Sequence, residues 1–102
     1  MKYSFHPSAK IELDQAADYY ESCEPGLGIQ FADEVYVAIQ RIIAFPTAWS
    51  SLSSRTRACL TNRFPYRIIY QIAPNNIRIV ALAHLSRRPG YWNDRLGEVN
   101  DY

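Results

Sequence analysis

The residues best able to do chemistry in this chain of 102 residues are arginines of its second half and one histidine. Arg67 lies inside the apolar run 63–72, where an arginine is costly unless water, an anion or a partner receives its charge. His84 ends a second apolar run and precedes Arg87 and Arg88. Such a histidine could act as an acid or base, with the arginines holding a phosphate. Alternatively, His84 caps the sheet through a hydrogen bond to a carbonyl. We favour this structural role for His84 alone and a binding surface for the arginine cluster.

The charges are divided unevenly along the chain. Residues 1–54 hold three bases and seven acids, a net charge of −4, whereas residues 55–102 hold eight arginines and three acids, a net charge of +5. Arginine suits bidentate contacts with phosphate or carboxylate, so the second half could form the face that binds an anionic partner. Alternatively, its arginines pair with the acids of the first half and the two halves neutralise each other in the fold. The candidate target- or anion-binding residues are Arg57, Arg63, Arg67, Arg87, Arg88 and Arg95.

Tyr91 and Trp92 lie close to Arg95, and aromatic residues between bases can stack on nucleic-acid bases. A Tyr-Trp pair near a C-terminus more often packs the end of the chain on a sheet. We assign Trp92 to packing and leave Tyr91 open.

Other kinds of chemistry are not indicated. The sequence contains no glycine-rich phosphate loop and no serine nucleophile elbow. Cys23 and Cys59 do not lie at metal-ligand spacing with each other or with either histidine, and we expect two reduced thiols, no metal and no cofactor. No apolar run approaches the roughly 20 residues of a membrane span, and residues 1–7 lack the apolar core of a signal peptide, so we expect a cytoplasmic protein.

Hydrophobic periodicity predicts the elements that position these side chains. Residues 63–72 alternate as a central strand, with Arg67, Ile69 and Gln71 on the face opposite to Tyr66 and its apolar neighbours. Spacings of three and four predict two amphipathic helices, the first opened by a Ser8 cap or by Pro7 at its first position. We predict one domain over 1–102, with strand 2–5, helices 8–22 and 27–45, loop 47–54, strand 57–61, turn 73–76, strand 77–84, a helical turn at 91–96 and a flexible tail at 97–102.

The hairpin predicts how the candidate residues meet. If residues 73–76 form a four-residue loop, Ile72 pairs with Ile77 and Arg67 pairs with Leu82. Arg67 and His84 would then be diagonal neighbours on one face, roughly 7–8 Å apart at the backbone and able to contact one phosphate. A slip of one residue would place them on opposite faces.

The order of these elements resembles the RelE/ParE superfamily of type II toxin–antitoxin toxins. The resemblance covers the chain up to Arg95. It implies an α+β fold in which an N-terminal strand, an antiparallel two-helix hairpin and a three-stranded antiparallel meander form one mostly antiparallel sheet with the helices on one face. The matching motifs are His6-Pro7-Ser8-Ala9, Ala17-Asp18-Tyr19-Tyr20-Glu21, Gly26-Leu27-Gly28 with Phe31 and Glu34, Phe64-Pro65-Tyr66-Arg67-Ile68-Ile69-Tyr70, and His84 through Arg87-Arg88-Pro89 to Tyr91-Trp92.

The resemblance implies a growth-inhibiting toxin in a hetero-oligomer with a cognate antitoxin, which commonly wraps such toxins with a helix and an extended segment. RelE-like members cut mRNA in the ribosome, and that activity would need Arg67, His84 and Tyr91 as catalytic residues. ParE-like members poison DNA gyrase. Residues 57–61 lack the lysines or glutamate of many nuclease members, and the net charge is only +1. We therefore favour the ParE-like poison, with a metal-independent ribonuclease or a diverged inactive binding module as alternatives.

Overall fold

The computed structural model describes residues 1–97 and consists of two helices above one five-stranded sheet. The sheet order is β1-β5-β4-β3-β2, with β1 parallel to β5 and the other neighbours antiparallel. This arrangement confirms the predicted α+β class. The elements are β1 (Lys2–Phe5), α1 (Pro7–Cys23), α2 (Leu27–Ala44), β2 (Ser50–Ser51), β3 (Arg57–Leu60), β4 (Tyr66–Ala73), β5 (Asn76–His84) and a 3-10 turn (Asn93–Arg95).

Most predicted elements are present, with two corrections. The expected loop 47–54 contains the short edge strand β2. This strand consists of two serines, which give no hydrophobic pattern from which a strand could be predicted. Strand β4 begins at Tyr66 rather than at residue 63, because residues 61–65 form the turn from β3. The predicted tail begins at Gly97, and residues 98–102 lie outside the described part of the chain.

The two helices form the predicted hairpin. Pro7 takes the first position of α1, and the Nδ1 atom of His6 accepts a hydrogen bond from the Ser8 amide at 3.0 Å, so Ser8 is not the cap. At the turn, the Glu21 carboxylate accepts from the amides of Gly26 and Gly28 at 3.0–3.1 Å. A carboxylate is favourable at this helix N-terminus because the first amides of α2 have no partner within the helix.

Hydrophobic residues are buried on both faces of the sheet. The larger core lies between helices and sheet, where Phe31 of α2 meets the aromatic rings of Tyr20, Phe64 and Tyr66 at centroid distances of 5.0–5.1 Å. The opposite face is covered by the segment after β5, whose Trp92 is 4% exposed. Packing of Trp92 on the sheet is thereby confirmed. The apolar residues of this second core are Ala58, Ile69, Val80, Ala81, Ala83, Trp92 and Leu96.

A β-bulge in β5 overturns the predicted pairing of Arg67 with Leu82. The turn has two residues, Pro74 and Asn75, rather than four, and Ile72 pairs with Ile77 as predicted. The register then shifts between Ile69 and Tyr70, because Val80 is an extra residue on β5. Beyond the shift, Arg67 pairs with Ala83 and Tyr66 with His84. Arg67 and His84 consequently lie on opposite faces of the sheet.

Candidate functional site

Arg67 lies on the sheet face that carries Trp92, opposite the helices. It stands between Leu60 of β3 and Ala83 of β5, its partners across the two ladders. Its guanidinium carbon is 5.8 Å from the centroid of the Trp92 ring, within the range of a cation–π contact. These neighbours hold the base of the side chain between apolar groups and leave it partly buried.

Beside Arg67 is a groove of about 650 Å³, which we call the Arg67 groove. Its rim exposes three leucines: Leu60 is 60% exposed, Leu85 50% and Leu52 39%. Among residues 1–97, Arg41 and Arg67 supply its charged side chains, and none of the carboxylates of that range lines it. The other lining residues are Trp49, Ser50, Ala58, Thr61 and Asn62.

The Arg67 Nε atom is buried and has no hydrogen-bond partner among residues 1–97. A buried donor without a partner costs about 1–3 kcal/mol, more when the group is charged. Few buried polar groups in native proteins lack a partner, so such an atom calls for a specific explanation. Because less than 1 Å² of this atom is accessible, a ligand would pair with it only after the side chain moves.

His84 faces the helices and belongs to a different surface. Its Nδ1 atom accepts a hydrogen bond from the Ser86 amide at 3.0 Å and lies 2.7 Å from the Ser86 hydroxyl oxygen. The imidazole thus bonds an amide and a hydroxyl rather than the carbonyl that we predicted. The Tyr66 ring packs edge-on against the imidazole at 5.1 Å. A second, smaller groove of about 340 Å³ opens here, lined also by Tyr19 and Arg87.

Tyr91 and Arg95 form a network with Glu12 of α1. The Tyr91 hydroxyl donates to Glu12 Oε2 at 2.8 Å, and both terminal nitrogens of Arg95 lie 3.0 Å from the Glu12 carboxylate oxygens. The Glu12 and Arg95 side chains are only 15% and 14% exposed. Burial, followed by the bond to Glu12, raises the pKa of Tyr91 above its ordinary value of 10, and the Glu12 bond raises the pKa of Arg95. The phenol therefore stays protonated, as the donor that ties the C-terminal segment to α1.

This network also completes the edge of β5. Strand β1 pairs with β5 only up to Ile79, so the backbone beyond that residue has no strand on this side. Glu12 accepts from the Leu82 amide at 3.0 Å, and Arg95 donates to the Val80 carbonyl at 3.0 Å. Side chains thus satisfy the backbone groups of an open strand edge.

Several candidate arginines are engaged within the fold. Arg57 donates to the carbonyls of Thr47 and Trp49, which fixes the loop before β2. Arg63 pairs with Glu34 of α2, with Nε 2.6 Å from Oε2. Burial raises the pKa of Glu34, but the bonds from Arg63 outweigh that effect and the pKa is lowered. Bases of the second half thus do pair with acids of the first.

Arg87 and Arg88 differ from these arginines because both are exposed to solvent. The Arg87 guanidinium stacks on the Tyr91 ring at 3.9 Å, a close cation–π contact. The Arg88 side chain has no hydrogen bond or ion pair with the described part of the chain. The structure therefore separates the predicted arginine cluster into residues tied into the fold and residues open to a partner.

Sequence reasoning missed Glu12 and Leu60. Glu12 lies three residues after Ala9 and four before Ala16, both buried, so its position on the inner stripe of α1 was a readable signal. Leu60 gave no such signal, because an apolar residue in a short strand is expected to be buried.

Comparison with known proteins gives two findings. The family model described as "ParE toxin of type II toxin-antitoxin system, parDE" matches residues 3–89. The solved structure titled "Chromosomal ParDE TA system from P. aeruginosa" is similar to this chain with a TM-score of 0.71 and 17% sequence identity, covering 82% of this chain and 95% of the other. At that identity the likeness to the solved structure is one of fold. A search among curated proteins gave no significant match.

Proposed function

Since the chain belongs to the ParE toxin family of type II toxin–antitoxin systems, we propose that its target is DNA gyrase and that Arg67 contacts this target. The chain is the toxin of such a module, with a cognate antitoxin as partner. Growth inhibition follows from poisoning the target, and binding of the antitoxin relieves it. We place the toxin in the cytoplasm, where gyrase acts on DNA.

The observation that carries the choice of target is the separation of Arg67 from His84. Metal-independent RNA cleavage needs a base for the 2′-hydroxyl, a stabilised phosphate and an acid for the leaving group, all within hydrogen-bond reach of one substrate. Arg67 and His84 lie on opposite faces of the sheet, and the Tyr91 hydroxyl donates to Glu12. This arrangement supports a toxin that acts by binding rather than a RelE-like endonuclease. The family match also disfavours an inactive binding module.

The arginines that are not tied to other groups of the fold define the proposed contact with the target. Arg67 has an Nε atom with no partner within residues 1–97, and the exposed Arg87 and Arg88 lie in the segment that follows β5. Arg57, Arg63 and Arg95 already bind carbonyls or carboxylates of the chain itself. We therefore narrow the predicted target-binding set to Arg67, Arg87 and Arg88.

A paired assay tests this function. Expression without the antitoxin should arrest growth, and purified toxin should cause gyrase-dependent DNA breaks while mRNA in a translation reaction stays intact. Arg67→Ala should reduce the breaks at least tenfold with unchanged circular dichroism. Lys10→Ala is the matched control, because Lys10 is an exposed base whose ion pair within the described residues is with Asp14 on the same helix. The control should keep wild-type activity.

Each other outcome has a defined meaning. Ribosome-dependent mRNA cleavage without DNA breaks would replace the gyrase proposal with the endonuclease. Binding of the antitoxin with neither activity and normal growth would indicate an inactive binding module.

A further inference from the structure

The smaller groove beside His84, which we call the His84 groove, lies on the helix side of the sheet and is lined by aromatic rings. Four rings form a continuous row along it, Tyr19, Tyr20, Tyr66 and His84, with consecutive centroids 5.3, 6.3 and 5.1 Å apart. Tyr20 and Tyr66 pack against the core, whereas Tyr19 is 62% exposed. Core packing therefore does not account for Tyr19, whose ring offers a flat face on which a planar ligand can stack.

Polar groups of the His84 groove can bind the edge of such a ligand. Nδ1 of His84 accepts from the Ser86 amide, so the neutral imidazole carries its proton on Nε2. This Nε2–H group has no hydrogen-bond partner among residues 1–97. Gln15, which also lines the groove, is exposed and offers a donor and an acceptor from its amide. A nucleobase, which is planar and carries donors and acceptors along its edge, matches this arrangement.

The charge beside the groove suits a phosphate. Arg87 lines the groove and Arg88 follows it in the chain, and both are exposed. Among residues 1–97, Glu12 is the carboxylate that lines the groove, and its oxygens are engaged by Arg95 and Tyr91. The phosphates that flank a bound base would therefore meet guanidinium groups rather than a free carboxylate.

The size of the groove favours an unpaired base. Its volume of about 340 Å³ is that of a small-ligand site, since such clefts span roughly 300–1,000 Å³. A base inside a duplex is stacked on both faces and cannot enter such a recess. A base of a single strand can be turned out of the strand and stacked on aromatic side chains.

We infer that the His84 groove binds one unpaired base of single-stranded DNA, with Tyr19 stacking on the base and Arg87 and Arg88 contacting the flanking phosphates. The inference rests on the proposed function, which places the toxin at an enzyme that opens DNA, and adds to it that the toxin holds the DNA as well as the enzyme. The site is separate from the Arg67 groove, because Tyr66 and Arg67 are successive residues of β4 and point to opposite faces of the sheet.

Fluorescence anisotropy with a labelled single strand of mixed sequence tests the site on the purified toxin. The single strand should bind at least tenfold more tightly than the duplex of the same sequence. Tyr19→Ala should weaken binding at least fivefold, whereas Tyr19→Phe, which keeps the ring, should change it less than twofold. The matched control Tyr36→Ala should bind as the wild type does, because Tyr36 is 55% exposed on α2 and does not line the groove. Circular dichroism shows whether the variants are folded.

Crosslinking locates the bound strand. A strand that carries 5-iododeoxyuridine is irradiated on the toxin, and mass spectrometry identifies the modified residue. Crosslinks should fall on Tyr19, Tyr66 or His84, whose rings line the groove. Crosslinks concentrated on Trp92 would place the strand at the Arg67 groove and overturn the inference. Displacement by adenosine monophosphate at the same nucleotide concentration would also overturn it, because the groove would then be a site for a free nucleotide.

The gyrase assay separates this inference from the proposed function. Tyr19→Ala should reduce the gyrase-dependent DNA breaks at least threefold, and unchanged breaks would contradict the role of the groove. If the wild-type toxin causes breaks but binds no single strand, or if Tyr19→Ala binds the strand as the wild type does, the inference is wrong and the proposed function stands. If the wild-type toxin binds the strand in the groove but causes no breaks, the proposed function fails and the DNA site stands.

Discussion

Loss of the Glu12 carboxylate should strongly destabilise the fold. In Glu12→Ala, the Arg95 guanidinium, the Tyr91 hydroxyl and the Leu82 amide all lose an acceptor at 2.8–3.0 Å. Removing one partner of a buried ion pair typically costs 3–5 kcal/mol, and the residual exposure of about 15% lets some water reach Arg95. We therefore expect a loss of about 3 kcal/mol, a large share of the roughly 5–15 kcal/mol that a domain possesses.

Urea unfolding followed by circular dichroism measures this loss. With an m-value of roughly 1.2 kcal/mol/M, the midpoint should fall by about 2.5 M. In the double variant Glu12→Ala/Arg95→Ala no unpaired charge stays buried. Its loss of unfolding free energy should therefore be about 2 kcal/mol smaller than the sum of the losses in the two single variants. The control Asp14→Ala breaks a surface pair, whose members are each more than half exposed, and should cost less than about 0.5 kcal/mol. Additive losses at Glu12 and Arg95 would refute the proposed coupling.

Three further predictions follow from the fold. Gly28→Ala should cost about 1–3 kcal/mol in urea unfolding, because its Cβ would lie 2.6 Å from the Ala17 carbonyl oxygen in the helix hairpin. Glu34→Gln should cost about 1 kcal/mol at pH 7 in the same assay. The fold lowers the pKa of Glu34 below its ordinary value of 4.5. The difference in unfolding free energy between the wild type and Glu34→Gln should therefore be fully present above pH 4.5 and should disappear as the pH falls through the lowered pKa. Arg67→Cys should form a disulfide with Ala83→Cys but not with a cysteine at 82, as mass spectrometry can show.

Controls accompany these predictions. Gly97→Ala should be neutral, because no atom of residues 1–95 lies within 4 Å of its added Cβ. For Glu34→Gln, an equal loss at pH 7 and pH 3 would contradict the pairing with Arg63. The cysteine pairs are made with Cys23→Ser and Cys59→Ala, so that no other thiol competes. Efficient bridging between positions 67 and 82 would mean that the bulge at Val80 is absent.

The sequence predicted the helices and the long strands well because their periodicity is strong. Both helices end close to their predicted bounds, and the two faces of β4 separate Arg67 and Ile69 from Ile68 and Tyr70. Periodicity could not place the bulge. Val80 lies in a run that is apolar on both faces, so one extra residue leaves the pattern unchanged while it reverses the side on which His84 lies.

Of the candidate site, Arg67 could be predicted from the sequence, but the other arginines that remain open to a partner could not. An arginine in an apolar strand indicates that something must receive its charge, and Arg67 does lie in a groove with an unpartnered atom. Which arginines remain open depends on contacts between distant parts of the chain. Two such contacts are the ion pairs of Arg95 with Glu12 and of Arg63 with Glu34. No local sequence pattern predicts either pair.

The parallel pairing of the first strand with the last has a consequence for synthesis. β1 is the first of the described strands to be made, but its partner in the described sheet is β5, which is made about seventy residues later. The helical hairpin can form early from local contacts, whereas β1 can join the sheet only when β5 has been made. The surface around Arg67, which needs β3, β4 and β5 together, thus arises only after β5 has been made. An antitoxin already present at that moment would meet the toxin as its surface first forms.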